Sequence, residues 1–290
     1  MKNTFRLLLV VAIGAMLFSS CKKQMEGQYM PKQKPSVIRT ANIDMADGTE
    51  SFVSVSTFHW DGKLLSDIET TSGTTGDGLT KCSFTYDSNK RVEKITAESD
   101  VISIYKLVYN DKDLVKVEGY FDSGTITDEY LFTKTDGKVT EITHTSFEKS
   151  AKKVNFEPLR YIFPEQIVTA METASMVAEK ADRDVTKLTW DGDNIIKTEL
   201  VTSMGALTTD YTYDDKVNPL KGLYMNNLES TPEIIHSANN ILTCVTTIPI
   251  VGSMNSTYTY EYDGNYPVKQ VIETSSLLTS TKSVVTYTYL

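Results

Sequence analysis

The feature that most constrains the fold is a short motif that recurs along the chain. An alternating stretch ends in an aromatic residue in most copies, Asp or Asn usually follows, and a second apolar stretch comes after a turn. The recurring units begin at Phe58, Phe84, Leu107, Phe132, Leu188, Tyr211 and Tyr260. Asp-Gly pairs occur at Asp61, Asp136, Asp191 and Asp263. Because glycine takes positive φ freely and aspartate tolerates it, these pairs favour tight hairpin turns.

The stretches around these turns alternate apolar with polar residues, as in residues 258–262 (YTYEY). A period of two buries one face of a strand and leaves the other face in water, which suits an antiparallel sheet. The sequence therefore predicts an all-β antiparallel meander of repeated hairpins. So many strands are expected to form a large coiled or partly closed sheet. We predict that residues 37–290 form this sheet as a single domain.

One detail departs from a simple alternation. After several turns, apolar residues recur three positions apart, as at Leu65 and Ile68 and at Val92 and Ile95. In a regular strand these side chains would point to opposite faces of the sheet. A β-bulge between them would bring both to one face. The spacing therefore predicts bulges, the alternative being strands that are buried on both faces.

Two segments interrupt the motif. Residues 164–183 begin with Pro164 and carry apolar residues at helical spacing, which predicts one short helical insertion. Residues 218–240 contain two prolines and five asparagines, which predicts a long loop. Because both segments break the repeat, we expect them to shape any binding site.

The N-terminus has the features of a secreted lipoprotein. Lys2 and Arg6 precede an apolar run over residues 7–18, and two serines lie directly before Cys21. This order of charged, apolar and small residues is typical of a secretory signal. We predict a signal peptide over residues 1–20, acylation of Cys21, and a flexible tether over residues 21–36. The alternative is an ordinary cleaved signal with an incidental cysteine.

The net charge of the mature chain excludes one class of partner. Removal of the signal leaves 27 basic and 38 acidic residues, a net charge of −11. Such an acidic chain is not expected to bind nucleic acid.

Cys82 and Cys244 both lie in strand-like stretches. They could form a disulfide in the oxidising envelope or remain buried free thiols.

The sequence contains no motif that predicts catalysis or ligation of a metal. His59, His144 and His236 lie far apart, and the first two alternate within strands, so surface positions are expected rather than metal ligation. Residues 150–153 have the Ser-x-x-Lys spacing of penicillin-recognising enzymes, but the partner motifs are missing. We predict a protein that is not an enzyme and that holds no cofactor and no metal. The recurring aromatic residues are expected to pack beside the turns rather than to stack on sugars.

The signal, the hairpins, and the segments that begin at Tyr211 (YTYDDKVNPLKGL) and Tyr258 (YTYEYDGNYPVK) resemble lipoproteins of Bacteroidetes. These proteins have no known function, and one of their families is described as having a porphyrin-like fold. The resemblance covers most of residues 40–290 and implies an outer-membrane lipoprotein. It supplies no catalytic residue. Lys22 and Lys23 stand where surface-exported relatives have acidic residues, so the periplasmic face is the predicted location, and surface exposure stays open.

Two classes of function follow. The first is a lipid-anchored envelope protein that binds a small molecule, a glycan or a protein partner without catalysis. The alternative is a structural or adhesive envelope component with no discrete ligand. The first is preferred because a monomer rarely leaves a broad aromatic sheet face exposed without use. Contact with the membrane is expected only through the lipid anchor.

Overall fold

The computed structural model describes residues 25–73, 78–99, 102–147, 183–202, 205–225, 231–248, 252–276 and 280–290. In these residues the chain forms sixteen β-strands and one short helix, α1 (Pro232–His236). The strands are β1 (Pro35–Ile43), β2 (Glu50–Asp61), β3 (Leu64–Gly73), β4 (Gly78–Tyr86), β5 (Val92–Glu98), β6 (Ile102–Asn110), β7 (Asp113–Phe121), β8 (Ile126–Thr135), β9 (Lys138–Ser146), β10 (Arg183–Asp191), β11 (Asn194–Thr202), β12 (Gly205–Val217), β13 (Asn239–Ile248), β14 (Gly252–Asp263), β15 (Tyr266–Ser275) and β16 (Ser280–Tyr289). The predicted signal peptide, Cys21 and most of the predicted helix over residues 164–183 lie outside the described residues.

The sheet closes on itself. Each strand pairs antiparallel with its neighbours in sequence, and β1 also pairs with β16, from Val37 opposite Thr288 to Ile43 opposite Lys282. The prediction of an all-β antiparallel meander is confirmed. The prediction of a coiled or partly closed sheet is wrong, because the first and last strands complete a closed barrel. Closure depends on twist accumulated over all the strands, which no single hairpin motif reveals.

Short turns join six pairs of strands at one end of the barrel, here called the short-turn end. Each of these hairpins has an extra residue just after its turn. In the β2–β3 hairpin, Trp60 pairs with Leu65 whereas His59 pairs with Asp67, so Ser66 is the bulged residue. The same shift occurs in the hairpins β4–β5, β6–β7, β8–β9, β10–β11 and β14–β15. The predicted bulges are confirmed.

The bulges explain both the spacing of three and the recurring aromatic residues. Leu65 and Ile68 are 0% and 3% exposed, so the bulge turns both into the barrel. The polar tip of an aromatic residue then donates a hydrogen bond to a carbonyl beside the preceding turn or, for Trp60, at the start of β1. The bonds are Trp60 Nε1 to Pro35 O (2.8 Å), Tyr86 OH to Leu65 O (2.6 Å), Tyr109 OH to Val92 O (2.7 Å) and Trp190 Nε1 to Val139 O (2.7 Å). The aromatic residues therefore bind neighbouring hairpins together.

One predicted unit departs from this pattern. The stretch that begins at Tyr211 does not turn back at once, because β12 continues to Val217 and a long connection then leads to β13 at Asn239. The connection lies at the short-turn end, and its described residues include α1. The predicted loop over residues 218–240 is therefore partly helical, and its last two residues already belong to β13.

The outer face of the barrel carries charged residues on many neighbouring strands. Lys81 lies opposite Glu69, and Lys106 lies opposite Glu118. Further outward pairs are Glu141 with Lys187, Lys187 with Glu199, Lys197 with Asp210, Glu261 with Lys269, and Glu273 with Lys282. Several are ion pairs, such as Lys81 Nζ to Glu69 Oε1 at 2.8 Å. The described part of the chain also contains no helix with the length and apolarity of a membrane span.

Candidate functional site

A segment before β1 packs into the short-turn end. Tyr29 is 1% exposed, its hydroxyl donates to Pro219 O at 2.8 Å, and its ring stacks on Trp60 with centroids 5.7 Å apart. Gly27 lies at φ +79°, directly against the Tyr109 hydroxyl. Residues 25–36 were predicted to belong to a flexible tether. That prediction is wrong for these residues, because Tyr29 finds an apolar and aromatic environment that only the closed barrel provides.

Glu26 anchors the same segment to strands β7 and β8 of the barrel wall. Its Oε2 accepts a hydrogen bond from Leu114 N at 2.7 Å and pairs with the Lys134 ammonium group. The hydroxyl of Tyr224 lies 3.4 Å from Oε1. These contacts join the N-terminal segment to the long connection between β12 and β13. We call Met25–Lys34, Asn218–Met225 and Thr231–Ser237 together the cap.

The second half of the cap is held by Asn218. Its Nδ2 donates to Ile234 O at 2.7 Å and to Ser237 O at 3.0 Å, so one side chain closes the long connection around α1. Ser237 Oγ then lies within hydrogen-bonding distance of the Tyr213 hydroxyl, at 3.1 Å, and accepts from Ile195 N. The position of α1 inside the short-turn end is therefore set by polar contacts from both the connection and the wall.

Beside the cap, tyrosines from β12, β14 and β16 line part of the barrel interior. Tyr211, Tyr258 and Tyr287 point inward, and burial raises the pKa of each well above the ordinary value for a phenol. All three nevertheless keep part of their side-chain surface accessible. Because their strands belong to the closed wall and these side chains alternate with outward ones, the accessible surface faces the barrel interior. We call the space lined by Tyr211, Tyr213, Tyr258, Tyr260 and Tyr287 the tyrosine chamber.

Hydrogen bonds hold one wall of the tyrosine chamber in place. The Tyr287 hydroxyl donates to Gln270 Oε1 at 2.9 Å, Gln270 Nε2 donates to the Tyr260 hydroxyl at 2.8 Å, and that hydroxyl donates to Ile241 O at 2.8 Å. A chain of this kind fixes the ring orientations because each hydroxyl donates to a defined acceptor. Farther from the cap, hydroxyl pairs such as Ser256 with Thr274, at 2.9 Å, line the interior. The chamber therefore offers aromatic faces beside hydroxyl groups.

The acid of the cap nearest this chamber is Glu233 of α1. The residue is 6% exposed, and among the described residues its Oε2 has no hydrogen-bond partner. Burial raises the pKa of this carboxyl to about 7, an effect that contact with the Tyr211 hydroxyl partly offsets. His236 lies on the same helix, where burial and the charges of Lys134 and Lys221 lower its pKa to about 4. The break in the hairpin motif predicted that this connection shapes a site, but no sequence feature singled out Glu233.

The structure separates the residues that the sequence analysis weighed as ligands. His236 lies in the cap near Trp190 and Tyr224, whereas His144 Nε2 lies 2.7 Å from Asp128 Oδ1. Cys82 and Cys244 are both free thiols, so the disulfide alternative is wrong; Cys82 is buried as the other alternative expected, whereas Cys244 is only partly buried. Cys82 lies on β4 and Cys244 on β13, strands that do not pair.

His59 has neighbours that the sequence did not predict. The strand register brings Asp67 and Glu69 beside it on the outer face, with one ligand atom from each residue within 4.8 Å of the others. Lys81 already occupies this cluster, since its Nζ lies 2.8 Å from Glu69 Oε1 and 3.4 Å from Asp67 Oδ1. The ammonium group therefore balances the two carboxylates, and the cluster gives no positive evidence of a metal.

Comparison with known proteins supports the fold. The sequence matches no family profile and no curated protein. The structure is similar to that of a porin-like protein from Bacteroides uniformis, with a TM-score of 0.55 and 11% identity over 91% of this chain and all of the other. A porin-like protein from Bacteroides vulgatus matches 89% of this chain at 9% identity with a TM-score of 0.25. The first match supports a shared barrel fold.

Proposed function

We propose that this chain is a lipid-anchored envelope protein whose barrel stands in water and binds a small molecule in the tyrosine chamber, without catalysis. The observation that carries the proposal is a contrast between the two faces of the wall. The outer face is charged on neighbouring strands, whereas the inner face of β12–β16 presents accessible tyrosines. The wall is therefore suited to water outside and to a ligand inside. The alternative is a structural or adhesive component with no discrete ligand.

The name of the structural neighbour, a porin-like protein, raises the alternative of a membrane-spanning pore. A barrel in a bilayer presents an outward apolar band about 25 Å tall, and a charge on the lipid-facing side near the midplane costs about 2–4 kcal/mol. In this barrel Lys106, Glu118 and Glu129 lie on three adjacent strands and point outward. Such a surface opposes insertion, so we propose an aqueous environment for the wall.

Acylation of Cys21 would also set how the barrel stands on the membrane. The cap begins at Met25, and four residues reach at most about 14 Å. The short-turn end would therefore face the lipid, and the opposite end would face the aqueous space. This arrangement follows from the packed N-terminal segment, because a free tether would allow every orientation.

Replacement of Cys21 with alanine tests the anchor. We expect the variant to leave the membrane fraction, while a variant on the outer face, Tyr120→Ala, remains there. Purified protein added to planar bilayers should give no conductance. Sedimentation of the Cys21 variant with membranes would contradict the anchor, and stable channels would favour a pore.

Quenching by a lipid-borne quencher tests the orientation. With Cys82 and Cys244 replaced by alanine, a fluorophore is attached at Asn89→Cys, beside a short turn, or at Asp47→Cys, at the opposite end. We expect strong quenching at position 89 and weak quenching at position 47, since a strand of about nine residues separates the ends by roughly 25–30 Å. Equal quenching would contradict the orientation.

Binding is tested by recovery of small molecules. The purified full chain is incubated with an extract of envelope metabolites, and mass spectrometry identifies compounds retained with it. We expect the wild type and Tyr120→Ala to enrich the same compound, and Tyr258→Ala to lose it. Equal recovery by the folded Tyr258 variant would remove the chamber as the site, and no enrichment by any form would favour the structural alternative.

A further inference from the structure

We propose that the ligand of the tyrosine chamber carries a protonated amine, which pairs with the carboxylate of Glu233. This inference rests on the proposed function and adds a chemical class of ligand to it. Its starting point is geometry, since Glu233 is 6% exposed and its carboxyl contacts the Tyr211 hydroxyl of β12. Nothing in the sequence around α1 predicts that this acid would be enclosed.

Glu233 is surrounded by neutral groups. The phenols of Tyr211 and Tyr213 on β12 and Tyr258 on β14, and the thiol of Cys244 on β13, lie close enough for the Glu233 charge to act on each of them. Burial raises the pKa of all four groups, so none carries a charge near neutral pH. The anion of Glu233 therefore has hydroxyl groups beside it but no countercharge among them.

The nearby cations are engaged elsewhere. Lys134 pairs with Glu26 and Asp113, and Lys134 and Lys221 act on His236 rather than on Glu233. Among the residues that the structure describes, Glu233 forms no ion pair, and its Oε2 accepts no hydrogen bond. A buried carboxylate without a countercharge is unfavourable, and a positively charged donor is the partner that compensates it most fully.

The walls of the tyrosine chamber suit the same ligand. The electron-rich faces of tyrosine rings attract cations, and the attraction increases when water is excluded. Tyr211 and Tyr213 have ring centroids 6.5 Å apart and belong to the wall that Glu233 approaches. An ammonium group placed at Glu233 would meet a carboxylate and aromatic faces together. A neutral alcohol would leave the carboxylate charge uncompensated.

A matched pair of probes tests the inference. Benzylammonium and benzyl alcohol have similar size and the same ring, and only the first is charged. Binding to the purified full chain is measured by calorimetry at pH 8. We expect the wild type to bind benzylammonium at least roughly tenfold more tightly than benzyl alcohol, and Glu233→Gln to reduce that preference to about one.

The pH dependence of the wild type provides a second test that needs no variant. Between pH 5.5 and 8 the Glu233 carboxyl loses its proton, because its pKa is about 7. The facing phenols and the Cys244 thiol stay protonated in this range, and His236, with a pKa of about 4, stays neutral. Affinity for benzylammonium should therefore rise with pH, whereas affinity for benzyl alcohol should not.

The outcomes separate the two proposals. Equal binding of both probes, unchanged in Glu233→Gln and at all pH values, would overturn the amine while supporting a ligand chamber. Failure of benzylammonium to bind would also overturn the amine, and recovery of a neutral compound from the envelope extract would then leave the proposed function intact. Charge-dependent binding that disappears in Glu233→Gln would support the inference.

Discussion

The strands β3–β9 and β12–β16 belong to one continuous antiparallel wall, yet the barrel interior differs beside them. In the first region, here called the packed sector, inward residues such as Leu65, Leu114 and Val117 are 0% exposed. In the second region Ile272 and Val285 belong to the same buried cluster, but the inward tyrosines packed beside them remain partly accessible. The paired strands therefore form the same wall in both regions, whereas the size and polarity of the inward side chains determine how tightly the interior is packed.

The cap increases this difference. Its buried apolar residues Leu220, Leu223 and Ile235 join the same cluster as the packed sector. On the side of the tyrosine chamber the cap contributes Glu233, whose charge opposes close apolar packing. A single segment therefore completes a core on one side and leaves a polar group facing the other.

Removal of a large side chain should be most damaging in the packed sector. Leu65→Ala should lower the free energy of unfolding by about 2–5 kcal/mol, because it deletes methyl groups from a filled core. Cys244→Ala, which changes a half-buried chamber residue, should lower it by less than about 1.5 kcal/mol. Urea unfolding of both variants gives the comparison. Equal losses would show that the two regions are packed alike.

Glu233→Gln should stabilise the protein at high pH. The pKa of Glu233 rises from 4.5 to about 7 on folding, so the native state binds the proton more tightly, and stability falls as pH increases from about 4.5 to about 7. Glutamine carries no proton to lose. The variant should therefore be more stable than the wild type by at most about 3 kcal/mol at pH 8, and little different at pH 5.

Thermal unfolding at the two pH values measures this effect. The measurement at pH 5 is the control, because the wild-type carboxyl is then largely protonated in the folded protein. A loss of stability at pH 8 would show that the Glu233 carboxylate has a favourable partner, and it would weaken the contrast between the cap's two sides.

Substitution of glycine should distinguish the cap from an open turn. Gly27→Ala should lower stability by about 1–3 kcal/mol, because φ is +79° and the new Cβ would lie 2.0 Å from the Tyr109 hydroxyl oxygen. Gly62→Ala has a similar positive φ of +55° with open space around the new Cβ, so about 1 kcal/mol of backbone strain is expected. Similar unfolding midpoints for the two variants would contradict tight packing of the cap.

The two thiols should report access to each region. Burial raises the pKa of both Cys82 and Cys244 to about 12, so the fraction of thiolate is equally small and access decides the rate. With a small neutral thiosulfonate reagent, Cys244 should react at least roughly tenfold faster than Cys82. Peptide mass spectrometry over time measures both rates. Equal rates in the folded protein would argue against an accessible chamber.

The hairpins and bulges could be predicted from the sequence because their causes are local. The turn at Gly62 and the spacing of Leu65 and Ile68 depend on residues within about ten positions of one another. The candidate site could be predicted only as a segment, since the motif breaks at residues 218–240. Glu233 was missed because an acid in a polar stretch has no sequence feature that indicates burial.

The strand pattern, the short turns and the bulges follow from local sequence alone, because side-chain alternation and backbone preferences act between near neighbours. Three features arise only in the folded barrel: the closure of β1 on β16, the packing of Tyr29 beneath Pro219, and the enclosure of Glu233 beside Tyr211. Each of these features brings together residues that are distant in sequence. Their formation depends on the twist and circumference of the whole barrel, which are properties of all the strands together.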